Sequence, residues 1–348
     1  MPNRLLDLLE TRPWLLADGA TGTNYFALGL ETGDSPELWN ADHPDRVQGL
    51  HRGFVEAGAD IILTNTFGGT RNRLKLHGAQ DRATELNRAA ARLAREVADD
   101  AGRPVVVAGS VGPTGEIFEP VGPLSQEDGV ASFTEQCQAL AEGGADVLWL
   151  ETLSSVEELS AAFAGAATTG LPVVCTLSFD TNGRTMMGVT GADFADVVRG
   201  LMPKVTAYGG NCGTGPSELM AVVHNMTAAR KPEDVIVTKS NCGIPEYVDG
   251  EIRYSGTPTL MADYARLARD AGVRIIGGCC GTTPEHIAAM RAALETHEPG
   301  PAPDLETITS RLGAVSQGAE SGDATPTPSR ERRRGRRRGA TPETPAAV

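Results

Sequence analysis

Short aliphatic runs recur along the chain at 14–20 (WLLADGA), 61–67 (IILTNTF), 105–111 (VVVAGSV), 147–152 (VLWLET), 173–179 (VVCTLSF), 205–212 (VTAYGGNC), 235–241 (VIVTKSN) and 275–280 (IIGGCC). Most are almost continuously apolar and turn small or polar at their C-terminal ends. Strands buried on both faces of a parallel sheet read this way. Between them lie stretches with apolar residues at helical spacing. The clearest is 45–57, where Val47, Leu50, His51, Phe54 and Val55 form an i, i+3, i+4, i+7, i+8 stripe. Similar patterns cover 82–98, 126–142, 156–167, 194–202, 216–229, 257–271 and 284–294. Several run out into glycine before the next strand, at Gly58, Gly143-Gly144 and Gly272, as a helix C-cap favours.

Eight strand–helix units over residues 1–297 predict an α/β fold, a (βα)8 TIM-type barrel. A doubly wound sheet is the rival. It usually carries G-x-G-x-x-G after its first strand, and the first run here leads instead into Asp18-Gly19-Ala20-Thr21-Gly22-Thr23. From about Glu298 the chain turns to Pro, Gly, Ser, Thr and Ala without apolar periodicity. This predicts a disordered tail over 298–348, ending in an Arg-rich run at 330–338.

Charge narrows the partners. The 348 residues carry a formal net charge of −14, against the basic surface a general nucleic-acid binder needs. The tail holds eight Arg and seven acids, leaving −15 on the rest. Its basic run is the one part suited to RNA or an anionic membrane surface, or it is simply solvated. No apolar run approaches the ~18–20 residues of a membrane span. The N-terminus, MPNRLLDLLETRPW, lacks a signal-peptide pattern. A cytoplasmic protein is expected, in which the six cysteines are metal ligands, nucleophiles or core residues and not disulfides.

Three of those cysteines fall at strand ends on one rim. Cys212 ends the sixth run, and Cys279 and Cys280 end the eighth in Gly277-Gly278-Cys279-Cys280-Gly281. Neighbours within a strand point to opposite faces, but glycines on both sides let the strand break and both sulfurs turn inward. Three thiolates with one open position describe a catalytic zinc site; buried cysteines acting as small apolar residues are the alternative. Cys137, on a helix, and Cys175, inside a strand, read as core. A zinc ion with three thiolates is a poor source of hydroxide. It suits a fourth thiol, held as a thiolate nucleophile at neutral pH. Asp18 and Glu151 end the first and fourth runs on the same rim. They could hold a substrate ammonium, act as an acid–base pair, or be solvated acids. The Gly19-Ala20-Thr21-Gly22 turn offers backbone N–H groups for a carboxylate.

Asp18-Gly19-Ala20-Thr21-Gly22-Thr23, Thr64-Asn65-Thr66-Phe67, Gly109-Ser110-Val111-Gly112-Pro113-Thr114-Gly115, Glu151-Thr152, Asn211-Cys212 and Gly277-Gly278-Cys279-Cys280-Gly281 occur in this order. Together they resemble the homocysteine S-methyltransferase family, over about residues 10–296. The resemblance implies that Cys212, Cys279 and Cys280 bind zinc and that homocysteine adds its sulfur and leaves as methionine. It further implies that Asp18 and Glu151 hold the substrate amino group, that the backbone at Gly19 and Ala20 takes its carboxylate, and that Asn211 lies beside the metal. Betaine-using members cage the trimethylammonium in aromatic rings. The matching positions here are Asp34, Gly68 and Thr152, none aromatic, although Trp39 or Tyr25 could build a different cage. The stretches 179–184 and 211–216 are more similar to cobalamin-using members, so the expected donor is methylcobalamin carried by a separate corrinoid protein. A betaine or sulfonium donor, another thiol or selenol acceptor, and a non-catalytic subunit that binds a corrinoid partner around a structural zinc stay open. One departure stands out: Ser240-Asn241-Cys242-Gly243 replaces the family's usual Asn-Ala-Gly. Cys242 is either a fourth thiol within reach of the zinc or a small residue in a tight turn.

Overall fold

The computed structural model describes residues 3–316 and 318, apart from 229, 249 and 250. Its strands are β1 (Leu15–Leu16), β2 (Ile61–Leu63), β3 (Val106–Val111), β4 (Val147–Leu153), β5 (Val173–Leu177), β6 (Ala207–Cys212), β7 (Ile236–Ser240), a hairpin of β8 (Pro245–Val248) and β9 (Glu251–Tyr254), and β10 (Ile275–Gly278). All but the hairpin form one eight-stranded parallel sheet in the order β1-β10-β7-β6-β5-β4-β3-β2. A parallel bridge from Ala17 to Ile61 joins its ends. The fold is therefore the α/β (βα)8 barrel that the hydrophobic rhythm predicts.

The helices follow from local chemistry. Ser125, Ser155, Thr190 and Thr257 each precede a helix and accept a backbone N–H from its first turn. Each such cap stabilises a helix start by about 1 kcal/mol. The apolar stripes of these helices pack on the outward residues of the strands, Val107, Leu148 and Leu150 among them.

The period-2 alternation of the strands builds the interior. Leu15, Ile61, Val106, Val147, Val174, Val237 and Ile275 point inward, and Leu5 and Leu8 of the helix Arg4–Thr11 join them. Toward the C-terminal ends the inward positions change character. Val106 and Ala108 on β3 give way to Ser110, and Val147 and Trp149 on β4 to Glu151. On the other side, Asn211, Lys239 and Gly277 share one level of β6, β7 and β10. The apolar runs turn polar where the barrel stops being core and becomes a site.

Two elements differ from expectation. The boundary at 297 is too early, because the helix Leu305–Leu312 lies inside the stretch read as tail. It buries Ile308 and Leu312 against the helices Pro216–Ala228 and Pro258–Asp270. Asp304 caps it by accepting from Thr307 N at 2.8 Å. Beyond it, Ser316 N donates to Glu218 at 2.6 Å. Leu305, Ile308 and Leu312 are three apolar positions in a single eight-residue helix, too short a pattern to stand out. The Arg-rich run lies outside the described residues. The β8–β9 hairpin is the second difference, although Asp249-Gly250 between two β-rich stretches is its sequence signal. Among the described residues no helix is long and apolar enough to cross a membrane.

Candidate active site

β10 stops at Gly278, where a side chain would run into that of Thr282, 2.3 Å from a Cβ. The chain then turns: Cys279 N donates to Ser240 O at 2.6 Å and Thr282 N to Cys279 O at 3.0 Å. Cys212, at the end of β6, has φ +61°, a left-handed conformation that L side chains rarely adopt. These two irregularities bring three sulfurs together. Cys212 Sγ lies 3.4 Å from Cys279 Sγ and 3.7 Å from Cys280 Sγ, and all three lie within 4.8 Å of one another. Thiolates about one tetrahedral zinc, each ~2.3 Å from it, sit roughly 3.8 Å apart, so the donor set fits such an ion. Hydrogen bonds from Cys212 and Cys279, with one from the Tyr254 hydroxyl, hold Cys280 well below the usual thiol range. The same contacts push Cys212 up. Tyr254 comes from the unforeseen hairpin.

The remaining cysteines stand outside this cluster. Cys137 and Cys175 are core residues whose thiols burial pushes up. Cys242 also departs from the ligand expectation. It stands outside the three-sulfur group, fully buried in the outer core, with its sulfur against Gly256, where a Cβ would come within 2.6 Å. Burial alone pushes its thiol up to about 11. The tight turn consumes it: its backbone N–H donates to Cys280 O at 2.8 Å and its carbonyl accepts from Gly256 N at 3.0 Å.

The three thiols open on a cavity of about 340 Å³ at the C-terminal end of the barrel, whose wall includes Gly19, Ala20, Glu151, Thr152 and Lys239. Glu151 accepts a hydrogen bond from the Ser110 hydroxyl. Burial pushes its carboxyl up to about 7, with Lys239 pulling the other way. Asp18 lies behind the wall. Its Oδ1 meets Lys239 Nζ at 2.7 Å and its Oδ2 accepts from Leu63 N at 2.7 Å. Burial raises Asp18 while Lys239 draws it back. For Lys239, Asp18 and Glu151 outweigh burial and keep the ammonium charged. Asn211 is also behind the wall. Its amide grips Thr152, accepting from the backbone N–H at 2.9 Å and donating to Oγ1 at 2.7 Å, with Cys279 Sγ 4.0 Å from Nδ2. That grip holds Thr152 at φ +62°. Of the expected carboxylate cradle, Ala20 N–H is engaged by Thr282 O at 3.1 Å.

Lys239 is the residue the sequence reading missed. A lone lysine in an otherwise apolar strand, VIVTKSN, is the signal that could have found it. The positions matched to a cation cage, Asp34, Gly68 and Thr152, all reach the cavity wall. At Gly68 a Cβ would press on Glu37 Oε1 at 2.9 Å, so a side chain there would displace the Glu37 carboxylate. Tyr25 and Trp39 pack on each other in the core, ring centroids 5.2 Å apart. Phe26 and Phe67 are the aromatic residues of the mouth.

The sequence pattern of the homocysteine S-methyltransferase family matches residues 15–294, the whole barrel that carries this cluster. The chain belongs to the homocysteine S-methyltransferase family. Methionine synthase of Mycobacterium tuberculosis is 32% identical over 308 residues, 83% of this chain and 25% of that protein. Methionine synthase of Mycobacterium leprae is 31% identical over 330 residues, 89% of this chain and 27% of that protein. The chain thus spans about a quarter of the length of these relatives. The metallated form of the homocysteine methyltransferase MmuM from Escherichia coli superposes with a TM-score of 0.69 at 27% identity, over 83% of this chain and 99% of that one.

Proposed function

We propose that this barrel transfers a methyl group to the sulfur of homocysteine, giving methionine, with zinc held by Cys212, Cys279 and Cys280. The observation that carries the reading is the three-sulfur cluster, at tetrahedral spacing, opening on a cavity with a buried carboxylate on its wall. Zinc held by three thiolates supplies a thiol substrate with a lowered pKa and a fixed position. The chain's own groups do the rest. Glu151, ionised above about pH 7, takes the substrate ammonium in a charge-assisted hydrogen bond. Asn211, through Thr152, sets the backbone beside Glu151 and so the direction in which that carboxylate faces. Tyr254 donates to Cys280 and moderates the negative charge of the cluster. Holding sulfur and ammonium together confines the thiol to one line of approach, where positioning lowers the barrier.

For the donor, we propose methylcobalamin presented by a separate corrinoid protein. The absence of rings at Asp34, Gly68 and Thr152 supports this, as do the methionine synthase relatives. A small sulfonium or betaine donor is the second reading. Phe26 and Phe67 at the mouth favour it. Zinc-loaded protein, homocysteine and each donor in turn decide between them by methionine formation. No methionine from any donor, with zinc bound, sinks the reading. Saturable turnover with betaine and none with methylcobalamin replaces the first donor by the second.

A further inference from the structure

The homocysteine reading leaves one buried charge without a task. Lys239 stands on β7 with its side chain 2% exposed, yet it forms part of the cavity wall. Gly277, opposite it on β10, makes room for its stem: a Cβ there would come within 3.0 Å of Lys239 Cγ. Nζ lies 5.4 Å from the centroid of the Trp149 ring and 2.7 Å from Asp18 Oδ1. An ammonium has three N–H donors, and among the described residues Asp18 is the one hydrogen-bond acceptor that meets it. A buried charged donor with spare protons on a cavity wall is costly unless a ligand supplies acceptors. The carboxylate of an amino-acid thiol is such an acceptor. The backbone alternative is weakened, because Thr282 O already engages the Ala20 N–H.

The same ion pair alters the other end of the substrate. Both oxygens of Asp18 are taken, by Lys239 Nζ and by Leu63 N–H, and Asp18 is absent from the wall. An ammonium built into the protein fills the place of a ligand's ammonium beside Asp18. Glu151 is then the carboxylate left to hold the amino group.

We propose that Lys239 is the specificity-determining residue of the thiol site: it takes the substrate carboxylate and withdraws Asp18 from amino-group recognition. The inference rests on the homocysteine reading. It makes the carboxylate the more demanding requirement and the amino group the lesser one. A thiol acid without an amino group is accordingly a ligand of this site.

Calorimetric binding to the zinc-loaded full chain, with no methyl donor, tests this with three probes: L-homocysteine, 3-aminopropane-1-thiol and 4-sulfanylbutanoic acid. In the wild type, loss of the carboxylate should weaken binding about 10- to 100-fold, as for a charge-assisted hydrogen bond, and loss of the amino group by less than about tenfold. Lys239→Met should shrink the carboxylate penalty to about threefold or less, and Lys239→Arg should keep it. Because Lys239→Met strands Asp18, the Asp18→Asn, Lys239→Met double variant carries the same measurement with both charges removed. The ratio between probes is a readout that a merely structural lysine would not move. A carboxylate penalty of wild-type size in either variant overturns the inference and leaves the homocysteine reading standing. No thiol binding by the zinc-loaded wild type overturns both.

Discussion

Two buried acidic sites at opposite ends of the barrel solve one electrostatic problem in different ways. Asp60, just before β2 at the N-terminal end, has a side chain 1% exposed and three arginines around it. Arg12 lies at 2.6 Å, Arg291 at 3.2 Å and Arg103 at 3.6 Å, and Asp60 Oδ2 also accepts from Leu16 N at 3.0 Å. Asp18, just after β1 at the C-terminal end, is equally buried but meets one cation, Lys239, which Glu151 and Cys279 also attract. The lower site has more cations than acids. The upper site gathers two carboxylates and three thiols around one ammonium, and its charge is completed by what binds there. In (βα)8 barrels the N-terminal face serves stability and the C-terminal face chemistry. Here the count of neutralising groups around each acid tells the two apart.

The largest effect that could break this contrast comes from the cysteines. Cys279→Ala with Cys280→Ala should abolish zinc binding and lower methyl transfer by at least about 10³-fold, or roughly 4 kcal/mol of barrier. The barrel core contains neither residue, so the unfolding midpoint of the metal-free protein should stay within a few degrees of wild type. Elemental analysis and circular dichroism on the same samples check both halves. Full zinc occupancy in the double variant would dismiss the ligand assignment.

Asp60→Ala should do the reverse. Removing one partner of a buried charged network costs about 3–5 kcal/mol, and three guanidiniums would be left facing one another. Urea unfolding should register that loss, while zinc per folded chain stays unchanged. A stable Asp60→Ala protein with impaired zinc binding would erase the distinction between the two ends.

The sequence announces these two ends unequally. Eight apolar runs that turn small or polar at one end predict the parallel barrel, because alternation within a buried strand is readable one residue at a time. The cysteine triad is readable too, since Cys212, Cys279 and Cys280 all fall at run ends and the glycines beside them permit the turns. What is not readable is pairing across the barrel. Asp18 and Lys239 are 221 residues apart, and nothing local says that the lysine satisfies the aspartate. The use of Ala20 N–H by Thr282, 262 positions later in the chain, is hidden for the same reason. Tyr254 reaches Cys280 from a hairpin whose side of the molecule only the fold decides. Cys242 misleads because strand order puts it near the metal rim, whereas the turn at Gly243, φ +84°, sends its sulfur toward Gly256 instead.

The upper site can be sharpened by pH. Glu151 has its pKa pushed up to about 7, from an ordinary value near 4.5. As a raised acid, it is neutral and favours the folded state at low pH, and it takes on charge as pH rises through 7. Only the charged form holds an ammonium, so homocysteine affinity should gain from Glu151 above about pH 7 and not below. Zinc-bound thiols also release a proton, in wild type and variant alike. The ratio of wild-type to Glu151→Gln affinity cancels that contribution. It should rise from near unity at pH 5.5 to several-fold, below about tenfold, at pH 8.5. A ratio flat with pH would remove Glu151 from substrate binding.

The smallest expected effect belongs to Cys242, and it decides how far the metal site extends. Its sulfur is fully buried against Gly256 and stands apart from the three clustered thiols. Cys242→Ala removes one buried heavy atom and leaves both backbone hydrogen bonds of the turn intact. The cost should be about 1 kcal/mol of stability, with homocysteine affinity and the rate of zinc loss to a chelator unchanged. A resting ligand would behave otherwise. Its loss would tighten homocysteine binding, since no thiol need be displaced, and would speed zinc loss in substrate-free protein. Both rates can be followed with a chromogenic chelator, with and without homocysteine. Equal rates in variant and wild type confine the site to three sulfurs. That leaves the fourth position to the substrate, in a cavity whose wall the three sulfurs share with Lys239.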